Sequence, residues 1–200
     1  MTKTVEFIFD FVSPNGYLAW YPLKGVLKRT GAELKITPAF LGGMHKLTGN
    51  QPPFIAFADV KGKNEYNMLE LRRFVAKHGL TKFKMNPHFP MNTITPLRML
   101  MLAENEGRGE EFADFLLPHV WEQGADIGDK GVLLALLADG PFDGEDYLAR
   151  TQKDDVKAAL IANTENAVER GAFGIPTFFV EDEMYFGKDR LDGVEEELTR

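Results

Sequence analysis

The β-prone run Thr4 to Phe9 stops at Asp10, and Ser13-Pro14 then reads as the cap and first residue of a helix. Strand, tight loop and helix N-terminus follow one another directly. Such a junction aims backbone N–H groups and the positive end of a helix dipole at one point, with the Ser13 hydroxyl beside them. An anion is stabilised there. Taken alone, Ser13 reads as a plain helix cap, the commonest use of serine at that position. Only features far along the chain change that reading.

The helix runs from Pro14 to about Arg29 and ends at Thr30-Gly31, with Leu18, Leu23, Val26 and Leu27 as its apolar face. Pro22 inside it removes a hydrogen bond, so a kink or break is expected. Glu33 to Pro38 alternates and gives a second strand, with Pro38 at its end or on a sheet edge. Strand, helix and strand make a βαβ unit with a parallel, right-handed crossover. Residues 39–53 are rich in Gly, Thr, Asn and Pro and read as a loop. Loops longer than about 12 residues are usually functional or mobile.

From Phe54 to Gly140 the periodicity turns helical. Tyr66, Leu69, Phe74 and Val75 suit one helix ending at His78-Gly79. Pro96 to Glu106, Glu110 to Gln123 and Asp129 to Ala138 suit three more, and residues 86–93 form an irregular connector. A further helix spans about Asp154 to Arg170. Strand signals return at Ile175 to Val180 and Met184 to Phe186, a hairpin around Glu181-Asp182-Glu183, before a terminal helix through Leu191, Val194 and Leu198. With the helical stretch set aside, the order β-α-β-α-β-β-α is that of the thioredoxin fold. The expected class is α/β: a thioredoxin-like domain, residues 1–53 and 151–200, interrupted by an all-helical domain, residues 54–150.

Composition narrows the chemistry. With 44% hydrophobic residues, 26% charged and 16 Phe in 200 residues, the chain has the means for a packed interior and does not read as disordered. A net charge of −7 with scattered Lys and Arg offers no basic face to a nucleic acid. No apolar run approaches the roughly 20 residues that span a bilayer. Met1-Thr2-Lys3 leads straight into a strand rather than a signal peptide, so a cytoplasmic location is expected. The absence of cysteine excludes disulfides, thiolate zinc sites, a cysteine nucleophile and intrinsic dithiol redox chemistry. Any thiol must be borrowed. His45, His78, His88 and His119 have no ligand spacing, and no metal site is expected.

Gly171-Ala172-Phe173-Gly174-Ile175-Pro176-Thr177-Phe178 puts a proline at the start of a strand beside glycine. This resembles the segment that carries a cis-proline in thioredoxin-like proteins, since proline tolerates the cis form best. A trans proline opening a strand is the ordinary alternative. A cis bond would leave the Ile175 N–H and C=O free, and in thioredoxin-like folds those groups grip a thiol peptide like an added strand.

Three separated motifs then agree in order and spacing: Asp10-Phe11-Val12-Ser13-Pro14, Gly49-Asn50-Gln51-Pro52-Pro53, and Phe173-Gly174-Ile175-Pro176 with Phe186-Gly187-Lys188-Asp189-Arg190-Leu191. Together they resemble the 2-hydroxychromene-2-carboxylate isomerase family, sibling of the kappa-class glutathione transferases and more distantly of DsbA. The resemblance covers essentially the whole chain.

It implies glutathione as cofactor, with Ser13 donating to its sulfur and favouring the thiolate. Ile175 beside Pro176 would pair with the cysteinyl backbone, and Asn50, Lys188 and Asp189 would hold the remaining polar parts. In isolation Asn50 also reads as a turn residue, Asp189 as a helix cap and Arg190 as half of a structural ion pair. The substrate implied is a small aromatic acid of bicyclic hydrocarbon degradation, isomerised by reversible thiolate addition. Phe11, Tyr17, Trp20, Phe54, Tyr66 and Trp121 are candidate walls, and Lys61, Lys63 or Arg72 candidate partners of its carboxylate. Family members are often dimers, and a homodimer is the expectation here. The family commonly follows Ser-Pro with an aromatic, where this chain has Asn15-Gly16; a more open or mobile substrate pocket is expected from that. A kappa-like glutathione transferase and a redox-inactive, peptide-binding thioredoxin-like module are the competing readings.

Overall fold

In the computed structural model, which describes residues 2–200, β1 (Thr4–Phe9) pairs in parallel with β2 (Glu33–Pro38) and antiparallel with β3 (Thr177–Val180). β4 (Glu183–Phe186) closes a four-stranded sheet in the order β2-β1-β3-β4. The central strands are apolar because both faces are covered: Val5, Phe7, Ile8 and Phe9 are buried, as is every residue of β3. Phe7 and Phe178 are register partners, and their rings stack at 5.1 Å. Pro38 ends an edge strand, where its missing N–H interrupts no ladder.

Helix α1 (Pro14–Thr30) joins β1 to β2 and ends on Gly31 at φ +70°. It runs through Pro22 without a break. Trp20, Leu23 and Val26 are buried around the proline, and each large side chain stabilises by about 1.5–3 kcal/mol on burial, which outweighs the roughly 3 kcal/mol that an internal proline costs. The helices α2 (Leu41–Thr48) and α9 (Asp154–Glu169) cover one sheet face, where Ile8, Met44, Ala167 and Phe179 form a small core. The opposite face meets α1, the terminal α10 (Leu191–Thr199) and the helical stretch.

That stretch consists of α3 (Pro53–Ala56), α4 (Lys63–Lys77), α5 (Ile94–Asn105), α6 (Gly109–Trp121), α7 (Lys130–Ala138) and α8 (Gly144–Arg150). One hydrophobic cluster runs from Phe7 and Leu18 through Leu100, Phe112 and Trp121 to Tyr147, so sheet and helices share a core. Glu104 of α5 accepts from the Ile36 N–H of β2 at 3.0 Å.

The largest departure from expectation is α2, where residues 39–53 read as loop. Gly42 and Gly43 are helical because the Phe40 ring lies across them; a Cβ on Gly42 would sit 2.9 Å from Phe40 Cζ. Met44 is buried beneath. The helix start is satisfied from outside: the Phe40 N–H donates to Thr164 Oγ1 at 3.0 Å and the Leu41 N–H to Asp10 Oδ2 at 2.9 Å. Neither partner is visible in local sequence. The bond Phe89-Pro90 in the irregular connector is cis, as is Ile175-Pro176.

Candidate functional site

Ser13 stands where β1 hands over to α1, with 3% of its surface exposed. Its oxygen accepts from the Gly16 N–H at 3.2 Å, the ordinary capping bond. Its hydroxyl donates to the Ile175 carbonyl at 3.0 Å. Cap and cis-proline loop therefore meet at one side chain. The loop before the proline was expected to leave both Ile175 backbone groups free; the carbonyl is instead taken by Ser13. Among the described residues the N–H groups of Ile175 and Asn15 have no partner within the chain. The corner thus presents one rotatable O–H, two unused N–H groups and a helix N-terminus, a donor set suited to an anion or thiolate attached to a peptide backbone.

Asp10 holds this corner from beneath and is fully buried. Oδ1 accepts from the Val12 N–H at 3.1 Å, Oδ2 from the Leu41 N–H at 2.9 Å, and the Asp10 carbonyl from the Ser13 N–H at 3.1 Å. Burial pushes the carboxyl up to about 6, against the lowering effect of Thr93 and the two N–H groups. The Thr93 hydroxyl is itself buried and forms no hydrogen bond of good geometry with any described group. Sequence reasoning passed over Asp10. The available signal was an acid enclosed by Phe9 and Phe11 at the end of a buried strand.

Asn50 follows the end of α2 at Gly49, and its Nδ2 donates to the Phe173 carbonyl at 2.8 Å, two residues before Ile175. Asn50 and the cis-proline loop are therefore adjacent. Pro176 is buried, and its carbonyl accepts from the Gly187 N–H at 2.9 Å. That bond leads to a 3-10 turn, Lys188–Arg190, entered through Gly187 at φ +102°. Lys188 is buried, paired with Asp189 at 2.7 Å and set 4.8 Å over the Phe74 ring of α4. Asp189 is exposed and caps nothing, because α10 begins at Leu191 without a side-chain cap.

The candidate substrate residues divide sharply. Phe11, Tyr17, Trp20 and Trp121 are buried to within 1%. Phe11 packs edge-on against Phe9 at 4.9 Å, and its carbonyl accepts from Trp121 Nε1 at 3.0 Å. Its ring is core and offers a substrate no surface, a correction to its expected role as a pocket wall. Phe54 and Tyr66 are about half exposed, and Lys63 Nζ lies 5.3 Å over the Phe57 ring. A shallow hollow of about 370 Å³ lined by Asn64, Glu65, Met68 and Arg72 lies beside them on α4. Another, about 490 Å³, lies between α5, α7 and α8 and involves none of the residues around Ser13. Gly16 does not open a pocket: it is buried, and a Cβ there would sit 3.2 Å from the Phe9 ring. Among the described residues no helix is long and apolar enough to cross a membrane.

Fold and site together define a thioredoxin-like protein with a helical insertion, in which serine occupies the helix start facing a cis-proline. A profile of the DSBA-like thioredoxin domain matches residues 4–199, and the chain belongs to that family. It is 28% identical over 200 residues to a 2-hydroxychromene-2-carboxylate isomerase of Sphingobium xenophagum, covering 99% of both chains. It is 26% identical over 203 residues to glutathione S-transferase kappa 1 of Rattus norvegicus, covering 95% of this chain and 88% of that one. A solved 2-hydroxychromene-2-carboxylate isomerase superposes with a TM-score of 0.80 at 25% identity, covering 96% of this chain and 93% of that one.

Proposed function

We propose that this chain is a glutathione-dependent isomerase that converts 2-hydroxychromene-2-carboxylate, or a close aromatic relative, to the trans-o-hydroxybenzylidenepyruvate form. The observation that carries the reading is the meeting of Ser13 with the cis-proline loop, Oγ to Ile175 carbonyl at 3.0 Å, in a chain without cysteine. Its likeness over nearly full length to two enzymes named for that isomerisation supports it.

When bound, glutathione would supply a thiolate that adds reversibly to a conjugated carbon of the substrate and is regenerated after rotation about the freed single bond. The chain's own residues prepare that thiolate. Ser13 has one hydroxyl hydrogen, now spent on Ile175, so sulfur binding exchanges one hydrogen bond for another rather than filling an empty donor. The exchange leaves the buried Ile175 carbonyl without its donor, at about 1–3 kcal/mol unless an N–H of the bound peptide takes the place of the hydroxyl, and gains a charge-assisted bond of about twice the strength of a neutral one. The Asn15 N–H and the α1 dipole favour S⁻ over S–H in the same direction. The free Ile175 N–H would receive a peptide carbonyl, while Asn50 and the Lys188-Asp189 pair flank the same loop. Exposed Tyr66 and Phe54, with half-buried Lys63, are the residues suited to an aromatic acid, and Asn15 is where the pocket would differ from an aromatic-bearing relative.

Turnover of the chromene acid with and without glutathione tests this. Activity that needs glutathione and leaves its concentration unchanged supports the isomerase. Consumption of glutathione favours a kappa-like transferase, which the likeness to the rat enzyme also supports. Failure to bind glutathione overturns both.

A further inference from the structure

We propose that Asp10 is the positioning residue of the Ser13 site: its one buried carboxylate latches the Ser13 loop to the first turn of α2, and so sets where Ser13 and Asn50 stand around a bound thiol. Among the described residues the carboxylate is the only side-chain acceptor that bridges the two segments: Oδ1 takes the Val12 N–H, Oδ2 the Leu41 N–H. Helix α2 has no cap of its own, since Phe40 stands at its N-cap. Asp10 thus supplies from the loop after β1 what the local sequence lacks, and α2 carries that constraint to Gly49 and Asn50 at its other end.

Two facing N–H donors call for an acceptor-only group. An asparagine of the same shape would turn its NH₂ toward one of them and lose that half of the latch. The arrangement is also electrostatically unfavourable by itself. No ionised side chain contributes to the titration of Asp10 among the described residues; its polar neighbours from the loop after β1, from α2 and from the segment before α5 are the Val12 and Leu41 N–H groups and the Thr93 hydroxyl. A fully buried carboxylate without a cation is costly. Such a cost at the edge of a binding corner is characteristic of a functional constraint. Protonation near pH 6 replaces one acceptor with an O–H and weakens the latch, so the geometry around Ser13 is coupled to pH.

The latch itself does not depend on what the site binds, whereas its effect on a thiol rests on the glutathione reading. The test has two arms. In the ligand-free protein, amide resonances of Val12, Ser13 and Leu41 are followed with pH; a joint titration near 6 in wild type, flat in Asp10→Asn, is expected. In the second arm, ultraviolet thiolate absorbance of bound glutathione is measured in wild type, Asp10→Asn, Ser13→Ala and the double variant. Asp10→Asn should lower the bound-thiolate fraction roughly tenfold, the effect of one charge-assisted hydrogen bond, and should change nothing further once Ser13 is alanine. Independent titration of the three amides overturns the latch. Equal losses in both backgrounds overturn its action through Ser13. If Asp10→Asn does not fold, the wild-type amide titration decides alone; if wild type binds no glutathione, the function fails while the first arm still judges the latch.

Discussion

Ser13 and Ile175, 162 residues apart in sequence, share one hydrogen bond of 3.0 Å that closes the thiol corner. Ser13→Ala removes this bond and the capping acceptor for Gly16. A lost N-cap costs about 1 kcal/mol, and the buried Ile175 carbonyl left without a donor adds a similar amount. Under the proposed function the variant should still bind glutathione but lose the thiolate absorbance of the complex. Retained absorbance would remove Ser13 from the chemistry.

Asp10 and Glu6 predict opposite responses to pH. Asp10 titrates at about 6 when folded against 3.8 unfolded, so its contribution is full below the unfolded value and is lost as pH rises through 6. The size is on the order of 3 kcal/mol. Glu6 suffers desolvation, but Thr37, Arg170 and Lys35 outweigh it and hold the carboxyl down to about 2 from 4.5. Its contribution is present above 4.5 and disappears as pH falls toward 2, amounting to about 2 kcal/mol after allowance for solvent screening. Urea unfolding across pH should therefore show Asp10→Asn flattening the decline between about 4 and 6, and Glu6→Gln flattening the acid limb below it. A wild-type decline between 4 and 6 that persists in Asp10→Asn would contradict the assignment.

Gly187 joins the cis-proline loop to Lys188-Asp189 at φ +102°, and nothing lies within 4 Å of a Cβ built there. The cost of Gly187→Ala is therefore backbone strain alone, about 1–2 kcal/mol. That should lower the melting temperature by a few degrees, at roughly 2–4 °C per kcal/mol in a chain of this size. Because the Gly187 N–H also bonds the Pro176 carbonyl, glutathione affinity should weaken as well. An unchanged affinity with a lowered melting temperature would separate the turn from the site.

Much of the fold was legible because its signals are local. The bounds of β1 and β2, the hairpin, and the Gly31 stop of α1 follow from periodicity and turn chemistry. Ser13 and the cis-proline were legible as motifs, and the hydrogen bond between them was not, since the expected free Ile175 carbonyl is occupied. Helix α2 was missed because its stability comes from Phe40 folding over Gly42 and from Asp10 and Thr164, all beyond the reach of propensity. Phe11 was misread as a pocket wall because an aromatic beside a site looks the same in sequence whether it faces inward or outward; its burial decides.

Trp121 links the helical stretch to the Ser13 loop, and two tryptophans allow that link to be isolated. Both Trp20 and Trp121 are fully buried. Trp20 Nε1 donates to Asp114 Oδ1 at 2.7 Å, while Lys24 pairs with Oδ2 at 2.5 Å; the Asp114 side chain is 40% exposed, so in Trp20→Phe water replaces the indole donor and no buried acceptor is orphaned. Trp121 Nε1 donates to the buried Phe11 carbonyl. Trp121→Phe abandons that carbonyl, at about 1–3 kcal/mol, besides the cavity that either smaller ring leaves. Phe11 lies between Asp10 and Ser13, so a relaxed carbonyl there moves the loop that carries the hydroxyl. Trp121→Phe should therefore reduce both unfolding free energy and the thiolate signal of bound glutathione, whereas Trp20→Phe should reduce stability alone. Equal effects of the two substitutions on the thiolate signal would show that the loop takes its position from Asp10 without help from the helical stretch.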